Sequence, residues 1–286
     1  MDASREVASR EPTWEYMRRL AILLVTVSVF ATTGCQTFPA GERLEEVTHE
    51  PDYSLEELRA FFDMARAAWR EREEYRETGW DLHYFGDEDT HILGVAIPRG
   101  ETLYLAFRGS QAHRHLRDLR MNAMVWKRRV PYAENPRIRA YWGFLVKYLA
   151  IRDEVHRLIE RFEPDRILLI GHSGGGAVVS LAFLDLYPGF PEKEVRAITF
   201  GMPRIFNRRG AIWFDEQEEQ LLRIVNGRDL ITGLPPAILG YRHVGRLVRM
   251  GERSRWLPFS LKDHWPGYHE GLEAMIQEQG DPPRED

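Results

Sequence analysis

The order of apolar and polar residues divides positions 51–280 into short apolar runs and longer helical repeats. Ile167 to Ile170 is wholly apolar with isoleucine at both ends, which predicts a strand buried on both faces. Ala177 to Leu186 is apolar almost without a break and predicts a buried helix. Upstream, Ser54-Leu-Glu-Glu57 has the form of an N-cap followed by an acidic first turn. It opens a predicted helix to about Glu74, with Leu58, Phe61, Phe62, Ala65 and Trp69 on one stripe. Three runs read as strands, Asp81–Phe85, His91–Ile97 and Thr102–Phe107, with turn residues between them. Helical spacing returns from Tyr141 to Phe162, at Phe144, Leu145, Leu149, Ile151, Val155, Leu158 and Ile159. Further on, the pattern predicts strands Ala197–Phe200, Leu221–Val225 and Tyr241–Met250. A polar helix is expected over about Arg209–Glu219 and a last helix over about His269–Gln279. Strands alternating with helices imply an α/β fold, a mostly parallel central sheet with helices on both faces. Chemistry then belongs at the carboxyl ends of the strands.

The N-terminal pattern is different. Met17-Arg18-Arg19-Leu20 leads into an apolar run, Ala21 to Ala31, that ends Thr32-Thr33-Gly34-Cys35. A basic start, a short apolar stretch and small residues before a processing point predict a secretory signal over 1–34. The run is too short to span a bilayer comfortably. Its end resembles a bacterial lipobox, with Thr32 where that motif usually carries leucine, and this resemblance implies lipidation at Cys35. Residues 35–50 then form a tether, 51–280 the folded domain and 281–286 a tail. The expected location is a bacterial cell envelope, membrane-anchored on the periplasmic or outer-membrane side; without lipidation the protein is secreted.

Composition narrows the classes. A 286-residue chain that is 43% hydrophobic can build one sizeable core. A net charge of −5 offers no argument for nucleic acid at whole-chain level, and one cysteine excludes an internal disulfide framework. No His, Cys and carboxylate cluster has metal-ligand spacing, so neither metal nor cofactor is expected. One segment departs from the acidic balance. Gln111–Val130 carries Arg114, Arg117, Arg120, Lys127, Arg128 and Arg129 against Asp118 alone, interleaved with Leu, Met and Trp. Such a stretch suits an anionic lipid surface; the plainer expectation is a solvated loop or hairpin.

Between the predicted strand 167–170 and the helix from Ala177 lies Gly171-His172-Ser173-Gly174-Gly175. Gly-x-Ser-x-Gly arises by chance in roughly one chain in ten of this length, so its context carries the argument. A buried strand before it and an apolar helix after it make it a nucleophile elbow, with Ser173 exposed at the turn. The alternative is an ordinary N-cap serine in a Gly-rich turn. A serine hydroxyl needs an adjacent base, itself oriented by a carboxylate, and in this fold they follow in the order Ser, Asp or Glu, His. Asp229 follows a short strand in a turn, and His264 lies in a loop after the last strand. His269 is the second candidate base and Asp215 the weaker acid. His172 should point away from the site, His243 lies in a predicted strand, and His113 and His115 precede the nucleophile. For the oxyanion hole the Gly174 N–H and the Gly109-Ser110 loop are the expected donors.

These segments resemble the class 3 lipases, the fungal-type triacylglycerol lipase family of α/β-hydrolases. The matches are Ala106-Phe-Arg-Gly-Ser110, Leu116-Arg-Asp-Leu119, Gly143-Phe144, Gly171-His-Ser-Gly-Gly175 and Thr199-Phe-Gly-Met-Pro-Arg204, followed by Val225-Asn-Gly-Arg-Asp229, Leu234-Pro-Pro236 and Asp263-His264 with Tyr268. They run in family order across about residues 50–280. Two departures stand out. Gly174 replaces a larger side chain common there, and no tryptophan precedes Leu116-Arg-Asp118.

The resemblance implies an α/β-hydrolase fold, a Ser173–His264–Asp229 triad, and an oxyanion hole of Ser110 and Gly174. The implied activity is hydrolysis of carboxylic esters, acylglycerols or phospholipids, through an acyl-enzyme and without a cofactor. The implied partners are a lipid or small-ester substrate and a membrane, reached through lipidated Cys35 and the basic segment 111–130. An acyltransferase or polyester hydrolase has the same site residues. A non-catalytic envelope lipoprotein that kept the fold for binding is the alternative from another class.

Overall fold

The computed structural model describes residues 53–68, 79–109, 124–251, 260–264 and 266–280. The predicted signal, Cys35, the tether, Trp69 with the rest of the first helix, Ser110, residues 111–123 of the basic segment and the tail lie outside the described residues.

The first helix, α1 (Leu55–Ala67), starts where the sequence places it. Ser54 accepts from the Glu57 N–H at 3.2 Å, and the Glu57 carboxylate accepts from the Ser54 N–H at 2.8 Å. This reciprocal pair satisfies two backbone donors that would otherwise face solvent unpaired. Strands β1 (His83–Asp87), β2 (Ile92–Arg99) and β3 (Thr102–Phe107) follow as an antiparallel meander. A short hairpin, β4 (Lys127–Arg129) with β5 (Arg139–Tyr141), precedes the long helix α2 (Trp142–Phe162). Then come β6 (Arg166–His172), α3 (Gly174–Gly189), β7 (Glu194–Phe200), α4 (Arg208–Asp215) and β8 (Leu221–Asn226). β9 (Arg246–Met250) and α5 (Gly267–Gly280) complete the order.

Among the described residues, seven strands form the main sheet in the order β1-β2-β3-β6-β7-β8-β9. From β3 onward every pairing is parallel, so the fold is the mostly parallel α/β sheet that the pattern predicts. Alternation along each strand feeds two cores. Leu103, Leu105 and Phe107 of β3 and Ile167 and Leu169 of β6 face one side, with α2, α3 and α4. Ala106, Leu168 and Ile170 face the other, with α1 and α5. Burial on both faces is why these strands read as continuous apolar runs. Helix α3 is buried from Gly174 through Leu186, as an all-round apolar helix must be.

Two elements differ most from the sequence pattern. The strand expected over Tyr241–Met250 begins only at Arg246. Its first residues are taken by another ribbon: Arg242 bridges Phe206, which bridges Ala140 of β5. The Tyr241 hydroxyl donates to the Val125 carbonyl, so Tyr241 is buried outside the main sheet. The polar helix expected to Glu219 stops at Asp215, just past buried Phe214, where the Gln217 N–H turns back to the Phe214 carbonyl. A 3₁₀ turn, Glu218–Gln220, carries the chain into β8. The β4–β5 hairpin occupies the end of the basic segment, where a loop or hairpin is the expectation.

Candidate active site

β6 delivers the serine. The chain leaves the strand at His172 and enters α3 at Gly174, so Ser173 makes the whole turn by itself. It does so at φ 58° and ψ −126°, a conformation that costs a non-glycine residue about 1–3 kcal/mol. The turn closes only because its neighbours lack side chains. A Cβ on Gly171 would sit 2.5 Å from the Gly175 backbone, and one on Gly175 would sit 2.1 Å from the Phe107 carbonyl oxygen. The Ser173 side chain makes no helix-capping hydrogen bond, which rules out the N-cap alternative. Its hydroxyl lies 2.8 Å from His264 Nε2.

β8 delivers the acid in the turn beyond Asn226. The Asp229 carboxylate is buried, and its Oδ2 accepts from His264 Nδ1–H at 2.8 Å. The same oxygen accepts from the Tyr268 hydroxyl at 2.8 Å, and Oδ1 accepts from the Ile231 N–H at 2.8 Å. Burial, and after it the Asp229 charge, push the Tyr268 phenol well above its ordinary value, so it stays a donor. With its Nδ1–H held by a carboxylate, His264 presents Nε2 as an acceptor toward the serine.

The loop carrying His264 is latched to the loop carrying Asp229. The Asp263 carboxylate accepts from the Arg228 N–H at 2.7 Å, and Asn226 Nδ2 donates to the Asp263 carbonyl at 3.1 Å. Ser260 exchanges backbone hydrogen bonds with Arg228 and Leu230 on either side of Asp229. The Tyr268 hydroxyl also accepts from the Asn226 N–H at 3.1 Å, so helix α5 is tied to the end of β8. Gly201, at φ +62°, packs against this junction: a Cβ there would lie 2.8 Å from Asp229 Oδ2 and 3.0 Å from His264 Nδ1.

Of the sequence-predicted residues, Ser173, His264 and Asp229 come together in one hydrogen-bonded line. Asp215 is exposed at the end of α4 and His269 pairs with Glu273 along α5. His172 does not turn away from the histidine. Its ring lies 4.6 Å from that of His264, and its Nε2–H donates to the His264 carbonyl at 3.1 Å. Burial first, and then the neighbouring His264, hold His172 well below the ordinary histidine value. It is therefore a neutral support beneath the other ring. Gly174 is buried at the first position of α3, where helix N–H groups have no intrahelical partner. The Phe107-Arg108 backbone that leads into the expected oxyanion loop passes close against Gly175 of α3; Ser110 lies outside the described residues. Sequence reasoning gave no role to Tyr268 or Asn226, whose contacts exist only once α5 docks. Among the described residues no group of three or more His, Cys, Asp or Glu could hold a metal ion.

Comparisons with known proteins find similarity to lipases. The family model described as lipase (class 3) matches residues 104–239. A secreted mono- and diacylglycerol lipase of Malassezia restricta is 32% identical over 138 residues, 46% of this chain and 43% of that protein. A lipase of Rhizomucor miehei is 30% identical over 188 residues, 58% of this chain and 50% of that protein. The chain thus spans about half the length of the curated relatives it matches. Among solved structures, a fungal lipase–inhibitor complex superposes with a TM-score of 0.63 at 21% identity, over 76% of this chain and 95% of that one. The class 3 lipase model thus matches a little under half of this chain, within a body that has the α/β-hydrolase fold of the solved lipase it superposes on.

Proposed function

We propose that this protein is a serine carboxylic-ester hydrolase, a lipase acting on acylglycerols or phospholipids. The observation that carries the reading is the unbroken line Ser173 Oγ, His264 Nε2 and Nδ1, Asp229 Oδ2, with both links at 2.8 Å. Ser173 attacks the ester carbonyl while His264 takes its proton, and Asp229 stabilises the imidazolium and fixes its tautomer. The tetrahedral oxyanion forms at the start of α3, where the Gly174 N–H and the helix dipole meet it and Ser110 supplies the second donor. His264 returns the proton to the leaving alcohol. Water, activated by the same imidazole, then cleaves the acyl-enzyme and releases the carboxylic acid.

Turnover on a panel of esters of graded chain length tests the reading. Ser173→Ala and His264→Ala should each lower kcat by about 10⁴-fold or more, and the double variant should be hardly worse than either. Near-normal ester hydrolysis by His264→Ala, or failure of a serine-directed phosphonate to label Ser173, would sink it.

The same reading places the chain outside the cell, which the relatives named as secreted support. Anchoring through Cys35 in a bacterial envelope is its finer form and rests on the sequence around Gly34. Mass spectrometry of the mature N-terminus tests that part: an unmodified Cys35 within a longer chain removes the anchor and leaves the hydrolase.

A further inference from the structure

The loop that follows Asp229 does more than cap the acid. Past Ile231 it carries two 3₁₀ turns, Ile231–Gly233 and Ala237–Leu239. At the second, Ile238 is 92% exposed and Leu239 is 52% exposed. Aliphatic side chains this exposed at a loop tip gain little for the fold.

This tip is held in place from one side by cations. Lys127 Nζ donates to the Leu239 carbonyl at 2.6 Å and lies 4.0 Å over the Tyr241 ring. Arg242 donates to the Ala237 carbonyl at 3.0 Å. Lys127 belongs to β4, and the ribbon continues through Ala140 of β5 and Phe206 to Arg242, so the hairpin and the tip form one surface. Trp126, also exposed, precedes Lys127.

The charge around this surface is one-sided. Residues 124–142 contain five basic residues and one acidic, and 230–250 contain three basic and none acidic, in a chain of net charge −5. Arg128 and Arg129 are exposed on β4, and neither forms an ion pair with a described carboxylate. Burial and the neighbouring Arg242 both lower Lys127 from its ordinary value, as expected where like charges are gathered without a counterion. On the loop that delivers His264, Leu261 is exposed as well.

We propose that Trp126, Ile238 and Leu239, rimmed by Lys127, Arg128, Arg129 and Arg242, dock this protein on the surface of an anionic phospholipid bilayer. The aliphatic tip and the indole enter the headgroup layer while the basic rim meets the phosphates. A basic rim around an aliphatic wedge fits lipid phosphates better than a protein groove, which would need its own carboxylates placed opposite each guanidinium. The proposal rests on the site being that of a lipase, for which docking brings the bilayer to the Asp229 and His264 loops.

Flotation of the full chain carrying Cys35→Ser tests it, with vesicles of phosphatidylcholine alone and with about a third phosphatidylglycerol. The chain should bind the anionic vesicles at least tenfold more tightly, and salt should erode the difference. Each basic side chain at such a surface is worth about fivefold in affinity, equivalent to about 1 kcal/mol. Arg128→Gln with Arg129→Gln should therefore weaken anionic binding roughly 25-fold and leave zwitterionic binding unchanged. Ile238→Ser should weaken binding to both vesicle types. Equal affinity for the two vesicles, or wild-type binding by both variants, overturns the proposal, as does a soluble protein that competes the chain off vesicles. Hydrolysis of a small soluble ester by the same preparations separates the two readings. Vesicle binding without ester turnover removes the hydrolase and keeps the surface. Full turnover without anionic preference removes the surface alone.

Discussion

Ser173 pays for its exposure with a backbone conformation that only its neighbours make possible. Gly175 is the clearest case, because the atoms a Cβ would meet, the Phe107 carbonyl and the Arg108 backbone, cannot rotate away. Gly175→Ala should push the Arg108-Gly109 end of the oxyanion loop outward while leaving the Ser173–His264 bond intact. Losing one oxyanion donor costs about 10²–10³ in kcat, so a fall of that size with little change in KM is expected on a soluble ester. Unchanged kcat would mean that the loop is positioned by something other than this contact. Gly201 makes the same kind of demand on the other side of the site, against the Asp229–His264 bond. Glycines at 171 and 175 announce themselves in the sequence by their spacing around the serine. Gly201 does not, because the groups it approaches lie far along the chain.

Elements announce themselves in proportion to their period. β6 and α3 are legible because burial on every side keeps the runs apolar but for Ser180 and Asp185, and α1 because its capping residues lie three apart in the chain. The β4–β5 hairpin has three residues per strand, too few for any alternation to show. Tyr241 looked like strand because it is apolar and buried, yet its burial comes from a local ribbon. Ser173, Asp229 and His264 could be picked out by type and order, whereas Asn226 and Tyr268 act through contacts that no spacing encodes. The joint between α2 and α3 was equally silent. Asp185 of α3 accepts from Tyr148 at 2.8 Å, from Arg152 at 2.7 and 2.9 Å, and contacts His156 Nε2 at 2.9 Å. Those partners repeat every four residues along one face of α2, and together they hold the Asp185 carboxyl below its ordinary value against the opposing effect of burial. Asp185→Ala leaves a buried phenol and a partly buried guanidinium without their acceptor. Since Arg152 still reaches water, the loss should fall near the low end for a broken buried pair, about 3 kcal/mol, read from the urea midpoint. A loss below about 1 kcal/mol would make the cluster a surface feature.

The molecule as a whole carries an acid sensitivity that these groups set. His172, beneath His264, and His243, among Arg223, Arg204 and Arg249, are both held well below the ordinary 6.5, in each case by burial first. In the unfolded chain they take up protons near pH 6.5, while in the folded chain they do not. Their contribution is therefore complete above that pH and is lost as pH falls through it toward the folded values. Each histidine adds a slope of up to about 1.4 kcal/mol per pH unit in that window. The melting temperature should fall as pH drops below 6.5, and His243→Gln, which leaves the triad untouched, should flatten the fall. An identical pH profile would mean that other groups drive the loss. A different consequence follows from the distance along the chain between the reacting groups. His264 lies 91 residues beyond Ser173, and Tyr268, which clamps Asp229, lies four further on. A growing chain therefore exposes its elbow long before the ribosome has made the base. Until the loop carrying His264 is synthesised and latched beside Asp229, Ser173 lacks the hydrogen-bond partner it has in the folded chain. On the proposed function, the Ser173–His264 hydrogen bond and the activity it would support therefore come only after all strands of the main sheet have been made.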